Sequence, residues 1–283
     1  MAPKASRVYT TRFGGDKSKI GDLLRGSGIL IEIERFCQMR KGQDSPSRVL
    51  IKPNIVNDSP PPITTPAWVV KELYEFLEGA LDDDIEIVIA DGTGELDWDT
   101  LALFDLHGYM KALAGARFAD LNTEACRFVP LPDGKRWDGL YLPEIVLDSF
   151  VISVPVLKAH TLAGVTLSMK NMIGACPPEH YQEHGHWKKS AFHRRIQAAI
   201  FDLNRARRPD FVLLDATIGM AESHLGGPIC DPPVDLLAAS PDPVALDAFG
   251  AGLLGRPWHD IGHIRMADGI LGSASDFRLV EIP

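Results

Sequence analysis

The chain alternates between short apolar runs and longer segments in which apolar residues recur with helical spacing. Four short runs are rich in β-branched residues and reach a polar residue near their end: VLIKPN at 49–54, IEIVIADG at 85–92, FVISVPVLKAH at 150–160 and FVLLDAT at 211–217. Such a run is typical of a strand buried on both faces. The segments with helical spacing are residues 19–40, 67–80, 97–113, 188–205 and 241–254. The alternation predicts an α/β fold with a mixed, largely parallel sheet flanked by helices.

The two ends of the chain and one helix start have their own signals. Residues 6–13 predict a first strand, and residues 277–282 predict a closing edge strand. Asp242 directly before Pro243 predicts a capped helix start. We expect Asp247 on the surface of that helix.

Polar side chains follow the four predicted strands. If the strands run parallel, their carboxyl ends meet at one edge of the sheet, where α/β proteins bind ligands. The side chains expected at this edge are Lys52, Asn54, Asp91, Lys158, His160 and Asp215. A polar residue after one strand is ordinary turn chemistry, but four such ends with two lysines predict a shared binding site.

The segment after the third strand has the chemistry of an anion site. The catalytic candidates in this segment are Lys158, His160 and Lys170. Ammonium groups attract carboxylate or phosphate, so these lysines and Lys52 are expected to hold an anion. A histidine titrates near working pH, so His160 is expected to act as an acid or base.

A histidine-rich loop at 176–187, CPPEHYQEHGHW, has two interpretations. Imidazole and carboxylate groups bind zinc, nickel or iron(II), although no standard metal motif is matched. The candidate ligands of such a divalent metal are His160, His184, His186 and Glu222. Alternatively, the loop folds over the anion site and His186 enters it as a catalytic acid.

Amide, hydroxyl, carboxylate and glycine residues are expected to complete the substrate contacts. These further candidates are Asn54, Thr65, Asn171, Asp215, Gly226 and Gly227. Asparagine amides can hold a carboxylate or phosphate oxygen, and glycine lets the backbone approach a ligand closely. Turn and cap chemistry would explain Thr65, Asp215 and the glycine pair equally well.

Composition excludes several classes of function. The net charge of −9 argues against a nucleic-acid binder that uses a broad basic surface. The four cysteines are scattered without a Cys-x-x-Cys pair, so we expect no iron–sulfur cluster and reduced thiols. No apolar run approaches the roughly 20 residues of a membrane span, and the amino terminus has no signal core. We therefore predict a cytoplasmic protein whose partner is a small anionic molecule, with no nucleic-acid or membrane partner.

Five motifs carry a resemblance to a known family. They are VLIKPNIV, FVISVPVLKAHTLAGVTLSMKNMIG, DFVLLDATIGM, GGP and AASPDPVALDAFGA, in this order. With them the chain resembles the domain of unknown function 362 family over roughly residues 48–272. Many members of that family are labelled iron–sulfur proteins because of an appended ferredoxin module, which this sequence lacks.

The chain is also similar, more weakly, to the nickel-dependent lactate racemase family. In that family a histidine and a lysine follow a buried strand, and His160 and Lys170 are the matching positions. This resemblance implies two α/β lobes about a cleft. A junction near residues 145–149 would divide such lobes, but no linker composition marks it, so we treat residues 1–283 as one unit.

These patterns favour an enzyme acting on a small carboxylate or phosphate through preorganised positive charge. Isomerase, lyase and transferase chemistry all agree with them. Two alternatives stay open. One is a metal-dependent enzyme that uses the histidine loop, and the other is a non-catalytic protein that binds a ligand or metallocofactor, such as a carrier or maturation factor.

Overall fold

The computed structural model describes residues 6–42 and 46–283. The described residues form twelve strands. The strands are β1 (Ser6–Arg12), β2 (Arg48–Lys52), β3 (Glu86–Asp91), β4 (Arg117–Asp120), β5 (Cys126–Pro130), β6 (Gly139–Pro143), β7 (Phe150–Ser153), β8 (Val156–His160), β9 (Gly164–Thr166), β10 (Phe211–Met220), β11 (Leu236–Ser240) and β12 (Phe277–Glu281). The predicted first strand and closing edge strand correspond to β1 and β12.

The described residues also form eleven α-helices and three short 3-10 helices. The α-helices are α1 (Lys19–Ser27), α2 (Ile29–Arg40), α3 (Ala67–Glu78), α4 (Thr100–Leu106), α5 (Tyr109–Ala112), α6 (Glu144–Leu147), α7 (Ser168–Asn171), α8 (Pro178–Tyr181), α9 (Ile196–Ala206), α10 (Pro243–Leu253) and α11 (Gly262–Ala267). The 3-10 helices are Met172–Ala175, Ser190–His193 and Trp258–Asp260.

One ten-stranded sheet runs through the molecule, and β5 and β6 form a separate hairpin. Its main path has the order β12-β1-β11-β10-β7-β2-β3-β4, and β8 and β9 attach beside β10. The block from β10 to β4 is parallel, whereas β11 runs antiparallel to both of its neighbours. The predicted mixed, largely parallel α/β fold is therefore confirmed. The parallel block brings the carboxyl ends of β2, β3 and β7 to one edge.

The predicted strand over 150–158 is two strands. Val154 and Pro155 separate β7, which pairs with β2, from β8, which pairs with the second half of β10 and with β9. Pro155 has no N–H group to donate to a ladder, which favours a break at this point. The break is itself tied down, because Val154 N donates to Lys52 O at 2.8 Å and Asp215 N donates to Pro155 O at 3.0 Å.

Three predicted helices are divided or shortened at residues with left-handed backbone. Gly28 (φ 74°) separates α1 from α2, and Gly108 (φ 76°) separates α4 from α5. The helix predicted from residue 188 begins at Ile196, because Arg195 has φ 56° and a 3-10 helix precedes it. Helical spacing of apolar residues persists across these breaks, so the pattern alone could not find them.

The core lies on both faces of the sheet. Along β2, Val49 and Ile51 pack in one apolar cluster with helices α1 to α4, whereas Leu50 packs in a second cluster with the β5–β6 hairpin and α9. A third cluster joins β10 and β11 to α9, α10 and α11. Each fully buried Leu or Ile contributes about 1.5–3 kcal/mol by leaving water. Burial on both faces explains why the strands have continuous apolar sequences.

The region of the predicted lobe junction is a short connection. Helix α6 ends at Leu147, and β7 begins at Phe150 in the middle of the sheet. The division of the chain near residues 145–149 stays a prediction. Within the described residues, no helix has the length and apolar character needed to cross a membrane.

Candidate functional site

A pocket enclosing about 110 Å³ opens at the carboxyl edge of the parallel strands. Its polar lining consists of Asn54, Asp91, His160, Lys170, Asn171, Lys189, His193 and His224. Asn54 follows β2, Asp91 ends β3 and His160 ends β8. The strand ends therefore position three of the eight polar lining residues, at the place where α/β sheets bind ligands.

A buried ion pair lies beneath the pocket. Lys52 Nζ is 2.7 Å from Asp91 Oδ1, and the two side chains are 1% and 2% exposed. Asp91 also accepts hydrogen bonds from the backbone of Ile55 at 2.7 Å and of Gly92 at 2.8 Å. Gly174 packs directly on this pair, because a Cβ at Gly174 would lie 2.6 Å from Lys52 Nζ. The charge of Lys52 is thus committed to Asp91.

Two asparagines connect the ion pair to Lys158. Asn171 Oδ1 accepts from Lys52 Nζ at 3.3 Å and from Asn54 Nδ2 at 3.0 Å. Asn54 Oδ1 in turn accepts from Lys158 Nζ at 2.7 Å, and Lys158 also donates to Ile63 O. Burial, together with repulsion from Lys170, holds the pKa of Lys158 well below its usual range. The network brings four residues predicted from sequence into direct contact.

Lys170 is the uncommitted cation of this group. It lines the pocket, is partly buried, and its ammonium group has no hydrogen-bond or ion-pair partner in the described parts of the chain. Burial, with the charge of nearby Lys52, lowers the pKa of Lys170 to about 8. A pKa so close to neutrality makes its charge sensitive to any anion that enters the pocket.

Asp247 fixes the start of helix α7, which carries Lys170. Its Oδ1 accepts from Ser168 N at 2.8 Å and from Ser168 Oγ at 2.5 Å, and its Oδ2 accepts from Met169 N at 3.0 Å. The expectation of a surface position for Asp247 is wrong, since the residue is 0% exposed. Burial raises the pKa of Asp247 to about 7. The predicted cap at Asp242 does form, with bonds to Val244 N and Ala245 N.

His160 is held as a neutral hydrogen-bond donor. Its Nδ1 is 3.1 Å from the backbone nitrogens of both Leu162 and Ala163, so Nδ1 accepts and the proton resides on Nε2. Burial, followed by the charge of Lys170, lowers the pKa of His160 far below its ordinary value. The ring therefore offers an N–H donor from Nε2, and its backbone bonds oppose formation of the imidazolium.

His224 lines the pocket beside His160. The two rings stack with centroids 3.8 Å apart. His224 Nδ1 is buried and has no hydrogen-bond partner among the described residues. Burial, followed by the charge of Lys170, lowers the pKa of His224 to about 4. Sequence reasoning singled out Glu222 in this loop and missed His224, since only the fold reveals which of the two side chains turns inward.

Lys189 is a second lining lysine that sequence reasoning missed. It is 5% exposed, and its Nζ donates to Gly92 O at 2.8 Å, Thr93 O at 2.9 Å and Asn122 Oδ1 at 2.6 Å. Burial lowers the pKa of Lys189 to about 7. In the sequence it stands beside Lys188, whose Nζ donates to Trp98 O instead. Nothing in the local pattern distinguishes the two lysines.

The histidine-rich loop contributes Trp187 to the pocket. The loop pairs with the backbone after β3, where Leu96 N donates to His186 O at 3.1 Å and Lys188 N donates to Gly94 O at 2.7 Å. This pairing fixes Trp187 against the pocket while His186 is exposed. The apolar part of the lining consists of Val56, Ile173, Trp187, Phe192, Ile196 and Leu225.

Several predicted site residues lie away from the pocket lining. These are Lys52, Lys158, His184, His186, Glu222, Gly226, Gly227, Thr65 and Asp215. Thr65 Oγ1 accepts from Asn54 N at 2.9 Å and donates to Val154 O at 2.7 Å, which ties the end of β2 to the strand break. Asp215 accepts from the backbone and hydroxyl of Thr217 within β10.

The predicted metal site requires His160, His184, His186 and Glu222 to lie close together. Within residues 6–42 and 46–283, no three His, Cys, Asp or Glu side chains come together as an ion-binding group. His184 and His186 are exposed, whereas His160 is buried at the pocket. The residues present therefore do not fit a divalent ion held by three side-chain ligands.

Comparisons with known proteins give a family match and one curated relative. A family model described as "Domain of unknown function (DUF362)" matches residues 49–252. The "Thylakoid-associated protein sll1697" of Synechocystis sp. is 29% identical over 210 residues, which are 71% of this chain and 60% of that protein. This chain thus spans less than two thirds of the length of that relative.

The chain also aligns with a solved structure. The lactate racemase apoprotein from Thermoanaerobacterium thermosaccharolyticum aligns with a TM-score of 0.48 and 13% sequence identity. The alignment covers 86% of this chain and 55% of that chain.

Proposed function

The chain belongs to the DUF362 family, as its motifs predicted, and we propose that its pocket is the active site of an enzyme acting on a small anion. The anion carries a carboxylate or phosphate group. Positive charge that is preorganised in a partly enclosed site stabilises negative charge on a substrate or in its transition state.

The observation that carries this proposal is the uncommitted ammonium group of Lys170. Lys52 is paired with Asp91, and Lys158 and Lys189 donate to neutral oxygens, whereas Lys170 has no partner in the described parts of the chain. A partly buried charge without a partner is costly. A bound anion would remove this cost and raise the lowered pKa of Lys170.

The two stacked histidines have different proposed roles. His160 donates a hydrogen bond from Nε2 to the anion, because its Nδ1 is occupied by backbone N–H groups. His224 has an unpartnered ring nitrogen at the pocket, so it is our candidate for the proton acceptor. In this arrangement His224, rather than His160 or His186, transfers the proton.

Anion binding is tested first by thermal shift and calorimetry with acetate and inorganic phosphate. We expect at least one of them to raise the melting temperature of the wild type. Lys170→Met should abolish the rise. Lys188→Met is the matched control, because it removes a neighbouring lysine whose Nζ donates to Trp98 O outside the pocket lining. If neither anion stabilises the wild type, the proposal fails.

Catalysis is tested separately from binding. A mixture of small carboxylates and phosphates is incubated with the protein in D2O, and NMR follows the loss of C–H signals and the appearance of products. We expect turnover by the wild type and none by His224→Asn, which should still bind the anion. Binding with no change in any NMR signal would instead identify a non-catalytic binding protein.

A further inference from the structure

We infer that the ligand of this pocket is a small monocarboxylate with an apolar substituent, rather than a phosphate or a dicarboxylate. The inference rests on the proposed function and names its substrate class. It follows from three properties of the pocket: the amount of uncommitted charge, the nature of the walls and the enclosed volume.

The uncommitted charge suits a single negative charge. Two lysines line the pocket, but Lys189 already donates to three oxygens, which are all the bonds that an ammonium group can donate. Lys170 is left as the free cation of the described lining, and His160 adds a neutral N–H donor. One cation and one neutral donor match the two oxygens of a carboxylate. A phosphate dianion presents three oxygens and needs more charge-assisted donors than these.

The walls suit an apolar substituent. Trp187 and Phe192 place two aromatic rings on the pocket, and Ile173 adds an aliphatic side chain. Trp187 is held in place by the backbone pairing between its loop and residues 94–96. A second charged group on the ligand would lose its water against these side chains without gaining an ion pair.

The enclosed volume limits the size of the ligand. An apolar cavity of about 150 Å³ holds one benzene molecule, which has six heavy atoms, so an enclosed volume of about 110 Å³ admits roughly four or five heavy atoms. A carboxylate group uses three of these. The enclosed part of the ligand is then a carboxylate with a short alkyl chain, and longer chains would extend into solvent.

A chain-length series tests the inference by calorimetry on the full chain. The probes are acetate, propionate, butyrate, hexanoate, succinate and inorganic phosphate. We expect affinity to rise about fourfold from acetate to propionate, which corresponds to about 0.8 kcal/mol for the added methylene, and then to level off from butyrate towards hexanoate. Succinate and phosphate should bind at least tenfold more weakly than butyrate.

Variants of two tryptophans give the matched comparison. Trp187→Ala should flatten the dependence on chain length while acetate still binds, because Lys170 and His160 are unchanged. Trp258→Ala removes a partly buried tryptophan outside the pocket lining and should leave the series intact. If Trp187→Ala does not fold, Trp187→His and the wild-type series still measure the effect of the wall.

The outcomes separate the inference from the proposed function. Tighter binding of phosphate or succinate, or equal affinity for acetate and butyrate, would overturn the monocarboxylate assignment while leaving an anion site. Absence of binding by all six probes would overturn both. A rising series that Trp187→Ala flattens and Trp258→Ala does not would support the assignment.

Discussion

Gly174 is the position where one added methyl group should do the most damage to the site. A Cβ there would overlap Asp91 Oδ1 and lie 2.6 Å from Lys52 Nζ, whereas ordinary contact begins near 3.4 Å. The side chains of the Lys52–Asp91 pair, now 2.7 Å apart and almost fully buried, would have to move away from the added methyl group by about 1 Å, which disturbs their contact. Because removing one partner of a buried ion pair costs about 3–5 kcal/mol, we expect Gly174→Ala to lower the free energy of unfolding by about 3 kcal/mol.

Equilibrium urea denaturation measures this loss directly. The midpoint should fall with an unchanged m-value, since the surface exposed on unfolding is the same. Gly252→Ala is the matched control: it lies in helix α10 with no atom within 4 Å of the added Cβ, and should gain about 0.5–1 kcal/mol. A Gly174→Ala variant within about 1 kcal/mol of the wild type would refute the view that this pair is rigidly packed.

Three further predictions concern buried polar groups. Burial raises the pKa of Asp247 to about 7, so its folded carboxyl binds a proton that the unfolded one releases near pH 4. The stability of the wild type relative to Asp247→Asn should therefore fall by at most about 4 kcal/mol as pH rises from 4 to 7; no slope in this difference would contradict the raised pKa. Between pH 5 and 6.5 the affinity for ionised acetate should stay flat because His160 stays neutral; a break near pH 6.5 that His160→Asn removes would show that His160 titrates. Asp202→Ala leaves the backbone N–H groups of Lys135, Arg136 and Trp137 without their acceptor. Urea denaturation should therefore show that the free energy of unfolding falls by about 2–4 kcal/mol. A fall below about 1 kcal/mol would mean that water replaces the carboxylate.

The sheet was predictable because its strands are buried on both faces. Continuous apolar runs marked β2, β3, β7 and β10, and the ends of β2 and β8 lie close enough for Lys158 to contact Asn54, although the two residues are far apart in sequence. Strands β4 (RFAD) and β11 (LLAAS) were not predicted, since each is short and lacks the aromatic and β-branched run of the others. Their positions are set by pairing with β3 and with β1 and β10.

The site was predictable where it depends on strand ends and not where it depends on loops. Lys170 and His160 were predicted from the apolar strand that precedes them in the sequence, and both side chains line the pocket. Lys189 and His224 lie on loops whose path is set by tertiary contacts, such as the stacking of His224 on His160. The local sequence does not distinguish a loop histidine that enters the pocket from a loop histidine that stays in solvent. For this reason His186 was a reasonable candidate although it is exposed in the folded chain.

The most direct test of the anion site is proton uptake on binding. Calorimetry of butyrate at pH 8, in two buffers of different ionisation enthalpy, measures how many protons the complex takes up. Lys170 has a pKa of about 8 and should become fully protonated beside a carboxylate, so we predict uptake of about half a proton at pH 8 and almost none at about pH 6, where the free lysine is already protonated. Butyrate binding with no proton uptake at pH 8, or with equal uptake at the two pH values, would contradict the assignment of Lys170 as the group that holds the anion.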